Sequence, residues 1–105
     1  MSPTKVTYLL EAAMENNIAF LELYAMNGGN LNVKDSSNKT ALHHSCSNDH
    51  REFAKVLIEL GCNIESCDKQ GETPLFAAVK NERKQMIEML FDYNCNINHQ
   101  KYTIN

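Results

Sequence analysis

The 105-residue chain has no tryptophan, only two prolines and four glycines, and no excess of basic residues. No apolar run approaches the ~20 residues that a membrane-spanning helix needs. Ten Lys and Arg against thirteen Asp and Glu give a net charge of −3. Proteins that bind nucleic acid through its phosphates present a basic face instead. We therefore expect neither membrane insertion nor a nucleic-acid partner, and we predict one soluble domain over residues 1–105.

A secretion signal is also missing from the N-terminal stretch. A signal peptide needs an uninterrupted apolar core and a small-residue cleavage site, but this stretch carries Glu11 and Glu15. We therefore predict an intracellular protein, cytoplasmic rather than nuclear. Under reducing conditions the cysteines are expected to stay thiols rather than to form disulfides. There are four of them: Cys46, Cys62, Cys67 and Cys95.

Catalytic motifs are lacking as well. The sequence has no Gly-rich phosphate loop, no nucleophile elbow and no acid pair fixed by a motif. His43-His44-x-Cys46 resembles part of a metal site, but a zinc site needs about four convergent ligands. Neighbouring side chains on a helix also diverge by about 100°. We therefore interpret His43 as structural and predict a protein that is not an enzyme and uses no metal or other cofactor.

A repeat of 33 residues runs through the chain without a gap. The register brings like residues together at caps, core positions and turns, which a chance match does not explain. The matched sets include Thr7, Thr40 and Thr73; Leu9, Leu42 and Leu75; Phe20, Phe53 and Met86; and Asn30, Asn63 and Asn96. The sequence therefore predicts repeats at residues 2–34, 35–67 and 68–100, with the start of a fourth at 101–105.

Each period carries the local signals of two short helices. A threonine at the N-cap, followed in the third period by Pro74, predicts a first helix at 41–47 and 74–80. Apolar residues spaced i, i+3, i+4 and i+7 predict a second helix at 51–60 and 84–93. Gly61, and at greater cost Asn94, should end it, and polar connectors should follow at 62–71 and 95–105. The first period predicts helices near 8–15 and 18–26.

The segment from Asp68 to Ala78 resembles the ankyrin-repeat signature Asp-x-x-Gly-x-Thr-Pro-Leu-His-x-Ala, with Phe76 in place of His. The middle repeat keeps Thr40 and His43 and departs from the signature at Asn38 and Ala41. The resemblance implies an all-α ankyrin-repeat solenoid of stacked helix-turn-helix pairs with projecting β-hairpin loops. It also implies a non-catalytic protein–protein interaction module, an adaptor or scaffold that binds another protein through its concave face and hairpin tips.

The resemblance also indicates which residues form the contact surface. The variable positions of the family correspond here to Ser36, Ser37, Lys39, Ser47, Asn48, Lys69, Gln70, Glu72, Lys80, Asn81, His99, Gln100, Tyr102 and Thr103. We single out Tyr102, because tyrosine is enriched among interface anchors. By the same resemblance Asn98 is a candidate for hydroxylation as a hairpin asparagine, although Asn96 replaces the usual acidic neighbour.

Two other roles stay open. The outer face of a terminal repeat is normally polar, yet the third repeat is apolar and the chain stops at Asn105. The C-terminal end could therefore mediate self-association or continue into a longer ankyrin array. Alternatively, the segment is the N-terminal recruitment domain of a larger enzyme or signalling protein.

Overall fold

The computed structural model describes the backbone of residues 5–98 and the side chains of residues 8–93. Over this range the chain forms helices and no strand. The helices are α1 (Lys5–Glu15), α2 (Ile18–Met26), α3 (Ala41–Ser47), α4 (Arg51–Glu59), α5 (Pro74–Lys80) and α6 (Lys84–Asn98). The all-α fold expected from the sequence is thus confirmed.

The six helices form two rows. Turns of two or three residues join α1 to α2, α3 to α4 and α5 to α6, and connections this short place helices antiparallel. The first helices of the pairs, α1, α3 and α5, contact one another in sequence, as do the second helices α2, α4 and α6. Each helix pair therefore lies against its neighbours, as in a solenoid.

Backbone conformation repeats with the sequence. In each helix-to-helix turn one residue has positive φ: Asn16 at 58°, Asp49 at 59° and Glu82 at 56°. Gly28 and Gly61 follow α2 and α4 with φ of 77° and 95°. Residues other than glycine rarely adopt this left-handed backbone conformation. The left-handed conformation recurs at the same position of all three turns, so the backbone conformation has the same 33-residue period as the sequence.

The predicted caps are present. The Thr40 hydroxyl accepts a hydrogen bond from the backbone N–H of His43, and the Thr73 hydroxyl accepts one from Phe76. Pro74 occupies the start of α5, where its missing N–H costs nothing. The sequence therefore placed the starts of α3 and α5 correctly.

One continuous core joins the helix pairs. Six of its largest members occupy corresponding positions of successive periods. They are Leu9 and Leu42, Phe53 and Met86, and Leu57 and Leu90, all at most 1% exposed. Burying one such side chain stabilises a fold by about 1.5–3 kcal/mol.

Polar contacts also link adjacent pairs at equivalent positions. The ring Nδ1 of His50 hydrogen bonds to the carbonyl oxygen of Ala13 at 2.8 Å. The Nε of Arg83, 33 positions later, donates to the carbonyl oxygen of Ser47 at 3.0 Å. The starts of α4 and α6 are thereby tied to the C-terminal parts of α1 and α3, the first helices of the preceding pairs.

Two predicted boundaries are wrong. Helix α6 continues through Asn94 to Asn98, so residues 95–98 are helical rather than part of an extended connector. Asparagine pays a steric cost in the left-handed conformation that glycine at position 61 does not pay, and the helix continues. At the other end, α1 begins at Lys5, three residues before the predicted start.

Candidate interaction surface

Two tight loops, residues 35–39 and 68–72, connect the helix pairs. In the first loop, Asp35 Oδ1 accepts hydrogen bonds from the backbone N–H groups of Ser37 and Lys39, both at 2.9 Å. The backbone N–H of Asp35 donates to the carbonyl oxygen of Lys39 at 3.0 Å. The predicted hairpins are therefore turns closed by hydrogen bonds, without regular strands in the described range.

The second loop repeats this arrangement. Asp68 Oδ1 accepts from the backbone N–H groups of Gln70 and Glu72, both at 2.9 Å. The N–H of Asp68 donates to the carbonyl oxygen of Glu72 at 3.0 Å. Gly71, one period after Asn38, has a φ of 78° against 62° for Asn38. Both loops therefore have the same backbone conformation, and in each loop one aspartate side chain stabilises it.

The two aspartates are held in their charged form. The hydrogen bond from the N–H of Glu72 lowers the pKa of Asp68, against the opposing effect of burial, and the N–H of Gln70 lowers it further. Burial by itself would raise the pKa of Asp35, but hydrogen bonds from Lys39 and His44 lower it below its ordinary value. Carboxylates that accept several N–H bonds are typically acidic in this way.

The loops are also joined to each other. The backbone N–H of Lys69 donates to the carbonyl oxygen of Ser37 at 3.0 Å. At the base of the loops, the N–H of Asn63 donates to Asn32 Oδ1 at 2.7 Å. Neighbouring loops are thus held by the chain itself at both their tips and their bases.

His43 fixes α3 to the second loop. Its Nδ1 accepts from the backbone N–H of Thr40 at 3.1 Å, so its Nε2 carries the proton and donates to the carbonyl oxygen of Glu72 at 2.8 Å. Burial lowers the pKa of His43, although the bond to Glu72 and the charge of Asp68 oppose the shift. This neutral ring is the structural histidine that the sequence predicted.

The neighbouring histidine has another partner. His44 Nε2 lies 3.0 Å from Asp35 Oδ2, so the two imidazoles do not converge. Among the residues that the structure describes, no three His, Cys, Asp or Glu side chains are grouped to hold a metal ion.

Of the residues predicted from the sequence for the contact surface, those in the described range are accessible to different degrees. Ser36, Ser37, Asn48, Lys69, Gln70, Lys80 and Asn81 are exposed, and Lys39, Ser47 and Glu72 are half-buried. Lys80 Nζ lies 3.7 Å from Glu72 Oε1, which connects the end of α5 to the second loop. His99, Gln100, Tyr102 and Thr103 lie outside the described residues. Asn98 is the last residue of α6 rather than a loop residue.

Sequence reasoning missed some exposed apolar side chains. Met14, which is 45% exposed, occupies in α1 the position of Ser47 and Lys80 in the later repeats. Phe76 and Val79 on α5 are 49% and 50% exposed. The 33-residue register would have identified Met14. The exposure of Phe76 and Val79 depends on what covers the third repeat. The 33-residue period does not predict this covering.

A family model described as ankyrin repeats (3 copies) matches residues 9–101. Within residues 5–98, every helix is too short or too polar to cross a lipid bilayer.

Proposed function

Because the chain belongs to the ankyrin-repeat family, whose members are generally protein–protein interaction modules, we propose that it is an adaptor or scaffold that binds a partner protein through its loop surface. We define the loop surface as loops 35–39 and 68–72 together with Ser47, Asn48, Lys80 and Asn81, at the ends of α3 and α5. In this proposal residues 1–105 act as one domain of three repeats.

The hydrogen bond between the two loops carries this proposal. It joins Lys69 to Ser37, so that side chains from both repeats are presented side by side before any partner arrives. The aspartates inside the loops fix each turn independently. Binding to a surface that is already ordered loses less conformational entropy, which favours affinity.

The chemistry of the loop surface supports a partner that supplies hydrogen-bond acceptors. The carboxylate oxygens Oδ1 of Asp35 and Asp68 are occupied by backbone N–H groups. The exposed groups nearby are instead the hydroxyls of Ser36 and Ser37 and the ammonium and amide groups of Lys69 and Gln70. Lysine is a donor only, and hydroxyls and amides donate as well as accept.

No catalytic role is proposed for this domain, since ankyrin-repeat domains are typically non-catalytic. The buried thiols agree with this. Burial raises the pKa of Cys62 to about 12 and raises the pKa of Cys46 further. A thiol acts as a nucleophile only as the thiolate, so both groups behave as core side chains.

The proposal predicts a partner that is lost when the loop surface changes. We would capture proteins from a lysate of the source cells with the wild type and with Lys69→Glu combined with Gln70→Ala. A control, Lys55→Glu, makes the same change in net charge at an exposed residue of α4, which belongs to the row of second helices, called the outer helices below. We expect the loop variant to capture at least about tenfold less of a specific protein, as for the loss of an interface hot spot.

The control should capture as much of that protein as the wild type does. All three proteins should show the same thermal melt, because the changed side chains are exposed. Equal capture by the loop variant and the wild type would contradict the proposed site. Loss with the control alone would place the site on the outer helices.

A further inference from the structure

Two asparagines at the ends of α3 and α5 have the same conformation one period apart. Asn48 and Asn81 are the C-caps of these helices, with φ of −96° and −97° and ψ of 5° and 8°. In each, the side-chain Nδ2 donates to a carbonyl oxygen four residues earlier, that of His44 or of Ala77, at 2.7 Å. The two amide groups are therefore held in equivalent orientations on neighbouring repeats.

Each of these amides keeps its oxygen free. An asparagine side chain has two N–H donors and an oxygen that accepts. The helix carbonyl takes one donor, and among residues 8–93 the Oδ1 atoms of Asn48 and Asn81 accept no hydrogen bond. Both side chains are exposed. Each repeat therefore presents one oriented acceptor at the end of its first helix.

The first repeat has an acceptor at the equivalent position. Glu15, 33 residues before Asn48, is the exposed last residue of α1, and its carboxylate only accepts. We call Glu15, Asn48 and Asn81 the acceptor ladder. The first helices pack against one another in sequence, and packed helices lie about 8–10 Å apart. The ladder therefore offers one acceptor about every 8–10 Å.

The loops supply donors on the other side of the same surface. Loops 35–39 and 68–72 precede the starts of α3 and α5, whereas the acceptor ladder lies at their ends. A helix of seven residues is about 10 Å long. The exposed loop groups include the hydroxyl of Ser37, the ammonium of Lys69 and the amide of Gln70, all of which donate. A partner chain lying between the two sides therefore meets acceptors on one and donors on the other.

We propose, building on the proposed function, that the partner binds as a polyproline II segment whose main-chain N–H groups donate to the acceptor ladder. Such a segment has no internal hydrogen bonds and three residues per turn, with a rise of about 3.1 Å per residue. Equivalent N–H groups therefore recur every ~9.3 Å, which matches the ladder. Residues i, i+3 and i+6 donate to it, the residues between them tolerate proline, and the remaining carbonyls face the loop donors.

Other backbone conformations do not fit the ladder. In a β-strand the N–H groups on one edge recur every second residue, about 6.7 Å apart. In an α-helix the N–H groups are already bonded to carbonyls of the helix itself. A partner bound through a helix would therefore contact the ladder by side chains alone.

Charges around the ladder favour a segment that is not acidic. Two pairs of neighbouring charges are compensated within the fold, Lys80 with Glu72 and Arg51 with Asp49. Glu11, Glu15 and Glu82 are exposed and form no ion pair with the residues whose side chains the structure describes. Both ends of the ladder therefore carry uncompensated negative charge, which attracts lysine or arginine flanking the bound segment.

Titration of the isotope-labelled 105-residue chain with a model peptide, followed by NMR, tests this binding mode. The probe is three Ala-Pro-Pro units with a lysine at each end, acetylated and amidated. We expect the side-chain amide signals of Asn48 and Asn81 to shift and saturate with a Kd on the order of 1 mM, as for a few neutral hydrogen bonds. The control peptide has proline in place of each alanine, so it keeps the conformation and the charges but loses three N–H groups. It should bind at least about fivefold more weakly.

Substitutions in the chain test the same contacts. Asn48→Ala and Asn81→Ala should each weaken binding of the alanine peptide at least about threefold. Asn27→Ala is the matched control, because Asn27 Nδ2 donates to the carbonyl oxygen of Leu23 at 2.8 Å in the same way, but at the end of the second helix α2. It loses the same helix-end contact and should bind the peptide like wild type. Thermal melts of the three variants should be alike.

Equal affinity for the alanine and all-proline peptides would overturn the main-chain pairing. Unchanged signals of Asn48 and Asn81 up to about 10 mM peptide, ten times the expected Kd, would also reject it. Weakening by Asn27→Ala to the same extent as by Asn81→Ala would assign the effect to helix capping instead. Capture from a lysate tests the proposed function separately, because the loop variant used there leaves the acceptor ladder unchanged.

Discussion

At the residue scale, one position of the repeat shows how local context determines a role. His43 and Phe76 are 33 positions apart and both lie at the start of the first helix of a pair. His43 has a following loop to bind, so its ring is buried and accepts and donates one hydrogen bond each. Phe76, on α5, is 49% exposed. The same position therefore forms buried hydrogen bonds in the second repeat and an exposed apolar surface in the third.

The buried, hydrogen-bonded ring of His43 predicts that the stability of the fold depends on pH. The folded state holds this ring neutral with a lowered pKa, whereas the unfolded chain takes up a proton near the ordinary value of 6.5. The unfolded state therefore binds more protons below that pH, and stability is lost as the pH falls through the folded pKa. We expect the free energy of unfolding to fall between about pH 7.5 and about pH 5.5, with a slope of at most ~1.4 kcal/mol per pH unit from this group.

Urea denaturation at the two pH values measures the effect. His43→Phe, which copies the residue of the third repeat, is the control: its slope should be smaller, because the other titrating groups are unchanged. Equal slopes in the two proteins would show that His43 is not held neutral by the fold.

At the element scale, the sequence predicted the helices well and their ends less well. Helices α3 and α5 were placed correctly because a threonine cap, and in α5 a proline, fix their starts. The end of α6 was missed because Asn94 is compatible with both a helix and a left-handed cap, and only neighbouring contacts decide between them. The loop surface was partly predictable, since the register identifies loop positions. The hydrogen bond between Lys69 and Ser37 was not predictable, because it depends on how closely the two loops approach each other.

The turns between paired helices carry local strain that can be relieved. Asn16 and Asp49 adopt positive φ at a lower cost because their side chains are short and polar. Glu82, at φ 56°, has a longer side chain and pays a larger steric cost. We expect Glu82→Asn to raise the free energy of unfolding by about 0.5–1 kcal/mol, measured by urea denaturation. Glu88→Asn, in the exposed middle of α6, should instead lower it by a few tenths of a kcal/mol, roughly as helix propensity predicts. A loss of stability with Glu82→Asn would contradict the strain.

At the scale of the whole molecule, stability comes from stacking, so equivalent residues contribute according to their place in the stack. Leu42 lies between two neighbouring repeats and is 1% exposed. Leu75, one period later, is half-buried. The sequence alone treats these two leucines as equals, because burial at a given position depends on the next helix pair.

This difference predicts unequal costs of truncation. Leu42→Ala should reduce the free energy of unfolding by about 2–5 kcal/mol, as for other buried leucines. Leu75→Ala should cost less, roughly 1–2 kcal/mol, because part of its surface is already in water. Chemical denaturation of the two variants at the same protein concentration makes the comparison. Equal losses would contradict the stacking order described above.

The central claim is that a partner protein binds the loop surface, and site-specific photo-crosslinking tests it most directly. A photoreactive amino acid would replace Lys69 in one protein and Lys55, on the outer helix α4, in another, both positions being exposed. After irradiation in a lysate of the source cells, we expect a specific crosslinked protein from position 69 and none from position 55. A crosslink from position 55 alone would place the partner on the outer helices and contradict the claim.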